Sequence, residues 1–335
     1  MRIPASSFAS SVFAGFFAAL ALVFVLTHAA QAQSLGYEGP TGVFVTPIAY
    51  TSASPAKGLG KPSVSYHFLA GGPVIGDFST VSTTVGFAKR FELGYTSEIH
   101  AGGATPYFPG TAAGDPGAGK GIVTAAGVPA SSLFASNIDI FHGKATIVEE
   151  NAGKTKWVPA ISVGGIFRFN DHDVFNGPAN GGAGTNGYAS HNADIYVVGT
   201  KIIPGIIKRV PVLLSAGLRG TNASLWGLGG NAPDFVARGF GAAALVFTGP
   251  AKSTIIVGSE ISQQPQRIKN PLGVTFDIPT SEVYAVRIVP SPKHKLNIDA
   301  GVLEAANKIL TLPTTPPGLY VNVRTRVAFG ISYGF

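Results

Sequence analysis

Residues 319–335 read LYVNVRTRVAFGISYGF and alternate to the last position. Leu319, Val321, Val323, Thr325, Val327, Phe329, Ile331, Tyr333 and Phe335 share one face, and Tyr320, Asn322, Arg324, Arg326, Ala328, Gly330, Ser332 and Gly334 share the other. Successive strand side chains point to opposite faces, so this stretch predicts one long strand, apolar on one side and polar and cationic on the other. A soluble strand usually runs about 5–6 residues. A tilted strand crosses a bilayer in about 9–11.

Working back along the chain, the same signal recurs. Residues 63–69, 80–88, 91–99, 137–148, 157–169, 193–203, 211–221, 237–248, 254–262, 281–289, 295–303 and 319–335 read as strands. Short gaps at 89–90, 149–156, 203–210, 249–253 and 290–294 alternate with long ones at 70–79, 100–136, 170–192, 222–236, 263–280 and 304–318. A membrane barrel has short turns at one end and long loops at the other, and an even strand count returns both termini to the turn side. The prediction is an all-β fold, a transmembrane antiparallel β-barrel of about 12 strands (range about 10–14). Within 193–203, 239–247 and 281–289 both faces are apolar, so orientation there is not readable.

Composition agrees. The chain is 45% hydrophobic yet only 12% charged, about half the charge of a typical soluble domain. The apolar residues are spread through alternating segments rather than gathered into helical spans. The 44 Gly and 24 Pro point to turns and loops. With no Cys, disulfides and thiolate metal sites are excluded.

The final strand, closing on Tyr333 and Phe335, resembles the C-terminal assembly signal of Gram-negative outer-membrane β-barrels. The resemblance covers the strand rhythm of nearly the whole chain. It implies the cell outer membrane as the location, outer-membrane lipid and lipopolysaccharide as surroundings, and the barrel-assembly machinery as the partner reading Tyr333 and Phe335. Arg2, the apolar run 12–26 and Ala30-Gln31-Ala32 read as a secretory signal peptide over residues 1–32. Residues 33–62 then form a periplasmic lead or plug before a barrel over 63–335. Within them, Gly39-x-x-Gly42-x-x-x-Thr46-Pro47-x-Ala49 resembles the opening of barrels linked to exopolysaccharide export.

A charge on the lipid face costs about 2–4 kcal/mol at the midplane, so strand charges are expected to face inward. The candidates for lining the lumen and setting selectivity are Glu92, Arg168, Arg219, Glu260, Lys295, Asp299, Arg324 and Arg326. They either fill a solid barrel with ion pairs or line a permeation path. Eight strands enclose only side chains and sixteen leave an aqueous channel, so about twelve allows both. The expected function is a porin-like channel or small-molecule uptake protein taking a small-molecule or glycan ligand. The alternative is a non-conducting structural, adhesive or exopolysaccharide-export-associated barrel.

Other chemistry is poorly supported. The phosphate-loop-like stretch 114–121, GDPGAGKG, lacks the Ser or Thr after Lys120 and the strand-to-helix context. Asp171-His172-Asp173 offers one His among flexible carboxylates, a poor metal cage. Neither G-x-S-x-G nor HExxH occurs, so an enzyme is not expected, nor a cofactor. The net charge of +7 is scattered rather than clustered, which argues against nucleic acid.

Overall fold

The computed structural model describes residues 34–71, 76–102, 137–170, 191–207, 210–228, 231–265, 268–269, 275–276, 278–291, 295–305, 309–312, 319–322 and 325–335. The segment read as a signal peptide and the motifs at 114–121 and 171–173 lie outside them. Sixteen strands are described: β1 Ser63–Ala70, β2 Gly76–Phe87, β3 Phe91–Gly102, β4 Asn137–Val148, β5 Ala160–Asn170, β6 His191–Ile207, β7 Val210–Ala223, β8 Asn231–Thr248, β9 Thr254–Ser262, β10 Ile268–Lys269, β11 Thr275–Phe276, β12 Ser281–Val289, β13 Leu296–Ala305, β14 Ile309–Leu312, β15 Leu319–Asn322 and β16 Arg326–Gly334.

Twelve of them close into one antiparallel barrel, in the order β1-β16-β13-β12-β9-β8-β7-β6-β5-β4-β3-β2. Closure runs along β1 and β16, from Ser63 opposite Gly334 to Leu69 opposite Ala328. A closed sheet leaves no unpaired edge, so every strand satisfies its amides against two neighbours. Outside the barrel, β10 pairs with β11 and β14 with β15, as hairpins within two of the longer connections.

Alternation fixes the two faces. On β16, Val327, Phe329, Ile331 and Tyr333 are exposed while Ala328, Gly330 and Ser332 are buried. On β3, Phe91, Leu93, Tyr95 and Ile99 are exposed while Glu92, Thr96 and Glu98 are buried. A large apolar outer face around a polar interior inverts a soluble barrel and suits acyl chains. The turn joining β2 to β3 is tight: Ala88 and Lys89 both have positive φ (50° and 59°), and the Arg90 amide donates to the Phe87 carbonyl at 3.1 Å. Such a turn matches the twist of the strands it joins.

Three sequence expectations change. Residues 319–335 are not one strand: β15 turns away to pair with β14, and β16 enters the barrel at Arg326. Its barrel neighbours end near that height, at Ala70 on β1 and Ala305 on β13, so the ladder there passes to β14. Two gaps read as long are short, because β2 starts at Gly76 and β8 at Asn231. Lys295 does not face the lumen; it sits in the turn before β13 with φ 47°, exposed, its Nζ donating to the Phe335 carbonyl at 2.7 Å.

The three segments with two apolar faces also find their explanation. Tyr196 and Val198 on β6, Phe240 on β8 and Val283 on β12 turn inward. They join one buried cluster with Tyr37, Phe44, Val45 and Ala49 from the N-terminal segment. These inner faces are apolar because they meet packed protein rather than water.

Candidate functional site

Residues 34–52 lie inside the barrel. Nearly all are buried, with Leu35, Thr41 and Ala49 fully so. Two successive tight turns shape the segment. The Gly36 amide donates to Pro40 O (2.8 Å), the Gly42 amide to Ser34 O (3.0 Å) and the Val43 amide to Thr46 O (3.0 Å). The glycines of the motif at 39–49 are set by close approach. Gly39 has φ +100°, and a Cβ there would stand 2.3 Å from Thr96 Oγ1; one at Gly42 would meet Thr46 O at 2.6 Å.

Folded this way, the segment has little secondary structure to satisfy its backbone, and inward side chains of the wall do so instead. Glu260 on β9 accepts from the amides of Phe44 (2.5 Å), Val45 (3.1 Å) and Thr46 (2.6 Å) and from the Thr46 hydroxyl (2.6 Å). Glu92 on β3 accepts from the Thr41 amide (2.9 Å), the Thr41 hydroxyl (2.6 Å) and the Ser52 amide (2.8 Å). Lys144 on β4 pairs with Glu92 at 2.9 Å and donates to the carbonyls of Thr41 and Ile48. Arg287 on β12 pairs with Asp299 on β13 at 2.6 Å and donates to the carbonyls of Gly42 and Val43. The Ala49 amide donates to Thr200 Oγ1, and its carbonyl accepts from Thr146 and Ser162.

A second group of charges stands beside this. Arg168 on β5, fully buried, donates to Glu38 of the segment at 2.5 Å and to Asp194 on β6 at 2.8 Å. Arg219 on β7 reaches Asp194 at 3.5 Å and also holds Ser262 and the Gln263 carbonyl. Two cations and two anions thus balance in a buried cluster, the condition for burying them. Burial and the Glu98 carboxylate hold the Tyr37 phenol well above its usual range, so it remains a neutral hydroxyl.

The sequence candidates therefore separate. Glu92, Arg168, Arg219, Glu260 and Asp299 come together in the lumen, where Glu92, Arg168, Glu260 and Asp299 bond directly to residues 34–52 and Arg219 bonds to Asp194, the partner of Arg168. Arg326 opens β16 on the inward side, half-buried. Arg324 lies outside the described residues. Tyr333 and Phe335 sit exposed at the rim, their rings 5.1 Å apart and edge to face. The reading missed Glu38, Lys144, Asp194 and Arg287. Lys144 was legible by parity, since it shares the inward side of β4 with His142, but apolar Ile138 and Ile140 on that side disguised it. Arg287 likewise stood among Val283 and Ala285.

The closed sheet, the apolar exterior and the charged, protein-filled interior define the class: a β-barrel of the outer-membrane type. Within it, this chain is a twelve-stranded barrel carrying its own N-terminal segment in the lumen. No protein-family model matches the chain and no curated protein resembles it in sequence. Among solved structures it is similar to the KdgM porin (10% identity, 82% of this chain and 99% of that one, TM-score 0.41). It is also similar to a Pseudomonas aeruginosa FadL homologue (13%, 92% and 96%, TM-score 0.37). A third is the β domain of the Bordetella autotransporter BrkA (12%, 82% and 99%, TM-score 0.32). Likeness at this level concerns barrel architecture alone.

Proposed function

We propose that this protein is an outer-membrane channel for small molecules that is closed at rest by residues 34–52 acting as a plug. The observation that carries the reading is the grip of Glu260 on three consecutive plug amides, reinforced by Glu92, Lys144 and Arg287. These side chains bind backbone, so they hold a shape in place. A barrel needing only internal filling could achieve that with apolar side chains, without buried charges. The wall charges that hold the plug would line the path once it moves, and would select by charge.

Planar-bilayer recording tests this. The wild-type protein is expected to be silent or nearly so. Deletion of residues 34–52, with barrel integrity checked by gel mobility before and after boiling, is expected to give discrete conductance steps. Steady conductance in the wild type would remove the plug. An intact, heat-modifiable deletion variant that stays silent favours the second reading, a non-conducting barrel, which the density of buried plug-to-wall bonds also supports.

A further inference from the structure

The two rims of the barrel differ in charge. Each of the five short connections between barrel strands carries Lys or Arg: Lys89-Arg90 after β2, Lys156 after β4, Lys208-Arg209 after β6, Lys252 after β8 and Lys295 after β12. Lys57 and Lys61 stand at the same end, on the segment that leaves the plug. There Leu59 bridges to Phe87, and the Gly60 amide donates to the Gly86 carbonyl at 2.8 Å. Among the described residues two carboxylates share this rim, and both are taken up. Glu149 pairs with Arg90 and Glu150 with Lys201, each at 3.1 Å. Lys57, Lys61, Lys89, Lys156, Lys252 and Lys295 are exposed, and no Asp or Glu among the described residues pairs with them. The opposite rim mixes signs: Asp77, Asp139, Asp234, Glu282 and Glu304 stand there with Arg238 and Arg326.

Like charges gathered on one rim repel one another, and an external anionic surface relieves that repulsion. The aromatic side chains at the same rim say which surface. Phe87 and Phe91 flank Lys89-Arg90, exposed on the outer face with their rings 6.1 Å apart. Trp157, next to Lys156, is 81% exposed. Tyr333 and Phe335 are exposed beside Lys295, whose Nζ meets the Phe335 carbonyl, and exposed Leu59 stands between Lys57 and Lys61. Amphipathic rings settle at the headgroup level of a bilayer, where one side is apolar and the other wet. Lysine does the same, with its stem along apolar surface and its ammonium among the polar groups. An acidic protein or a soluble polyanion would engage the cations and leave the rings in water.

We infer that the turn-end rim is a collar that binds anionic phospholipid headgroups in preference to zwitterionic ones. The lysine ammonium groups carry donors and no acceptor, which suits phosphate oxygens. A headgroup with net negative charge meets them without a cation of its own. A zwitterionic headgroup brings its own ammonium, which competes for the same phosphate. The exposed rings beside the lysines take the boundary between headgroup and acyl chain, so charge and apolar contact are met by one molecule. Because the lysines are exposed, salt screens the preference. The collar rests on the barrel crossing a bilayer and does not depend on whether the barrel conducts.

Trp157 reports on the collar directly. The chain has two Trp, and Trp226 is 2% exposed inside the barrel, out of reach of lipid. The test places the full mature chain in vesicles of phosphatidylcholine mixed with phosphatidylglycerol. One lipid at a time carries brominated acyl chains, which quench tryptophan fluorescence on contact. Brominated phosphatidylglycerol is expected to quench Trp157 as if enriched about five-fold beside it, the scale of one basic side chain near an anionic surface. In about 1 M salt, where the Debye length falls to about 3 Å, the preference should vanish. Replacing Lys57, Lys61, Lys89, Lys156, Lys252 and Lys295 together by Gln should abolish it, with the barrel checked by gel mobility before and after boiling. Lys156→Gln alone should lower it and guards against a folding defect in the multiple variant. Equal quenching by the two lipids in the wild type overturns the collar while leaving the barrel in its bilayer. A preference that survives salt or the multiple replacement overturns it too, since it would then arise elsewhere. Absence of quenching by either lipid overturns the collar and the bilayer crossing together.

Discussion

Glu260 holds Thr46 twice, accepting from its amide and from its hydroxyl at 2.6 Å each, across 214 residues of chain. The carboxylate stands at one strand of the wall and the threonine at the bend of the plug. With Phe44 and Val45 also donating, one side chain fixes the peptide geometry of a whole turn.

Replacing Glu260 with Gln keeps the shape and removes the charge, and turns one acceptor into a donor facing donors. Hydrogen bonds to charged groups contribute about 1.5–3 kcal/mol each, so a net loss of about 2 kcal/mol in plug seating is expected. That corresponds to an increase of about thirty-fold in the unseated population. The chain has no Cys, so a single Ile48→Cys reports cleanly through maleimide labelling. Labelling should be slow in that background and faster by that factor when Glu260→Gln is added. An unchanged rate would mean that the plug is held elsewhere.

The Arg168 cluster predicts non-additive loss. Arg168→Met leaves Glu38 and Asp194 buried together without their main cation. Breaking a buried pair from one side costs about 3–5 kcal/mol. Adding Glu38→Gln removes one of the stranded charges, so the double variant should be more stable than Arg168→Met alone. Urea midpoints of the folded gel band give both values. Simple addition of the two losses would show that the charges do not interact.

How far the sequence could be read follows the same division between outer and inner face. Phe91, Leu93 and Tyr95 are exposed on the outer face, where no neighbouring segment of the chain dictates the residue, so their alternation was plain. Phe240 and Val283 met the plug, whose own side chains decide what the wall must be, and that information lies some two hundred residues away. Arg168 and Arg219 were legible because a charge on an otherwise apolar strand has one tolerable side. Glu38 was not, since residues 33–62 carry no period that fixes a face. The split between β15 and β16 was hidden for another reason. Alternation marks a strand but does not say which neighbour it pairs with, and both halves of 319–335 alternate.

Two glycines with positive φ separate close approach from backbone freedom. Gly58 (φ +91°) has open space around its missing Cβ, whereas Gly39 (φ +100°) is pressed against Thr96 and His142. Gly58→Ala should cost about 1 kcal/mol from the backbone alone. Gly39→Ala adds a clash and should cost more, while also raising labelling at Ile48→Cys. Equal costs would place Gly39 in looser surroundings than the structure gives it.

Val197 and Val198 are adjacent on β6 and meet opposite media. Val197 is 42% exposed on the outer face, and Val198 is fully buried inside against the core. Lengthening Val197 to Leu meets fluid acyl chains and should change stability little. The same change at Val198 meets packed side chains and should cost about 1–3 kcal/mol by overpacking, whatever lipid surrounds the barrel. Charge reverses the sensitivity to lipid. Val197→Arg should cost about 2–4 kcal/mol in a bilayer, where the midplane penalises the ion. That cost should shrink in detergent micelles, whose thin apolar shell lets the side chain reach water. Unfolding by urea in vesicles and in micelles measures all three variants. If Val197→Arg proved harmless in vesicles while Val197→Leu was damaging, the outer face would be protein-covered rather than lipid-covered, and the two faces of the wall would have to be exchanged.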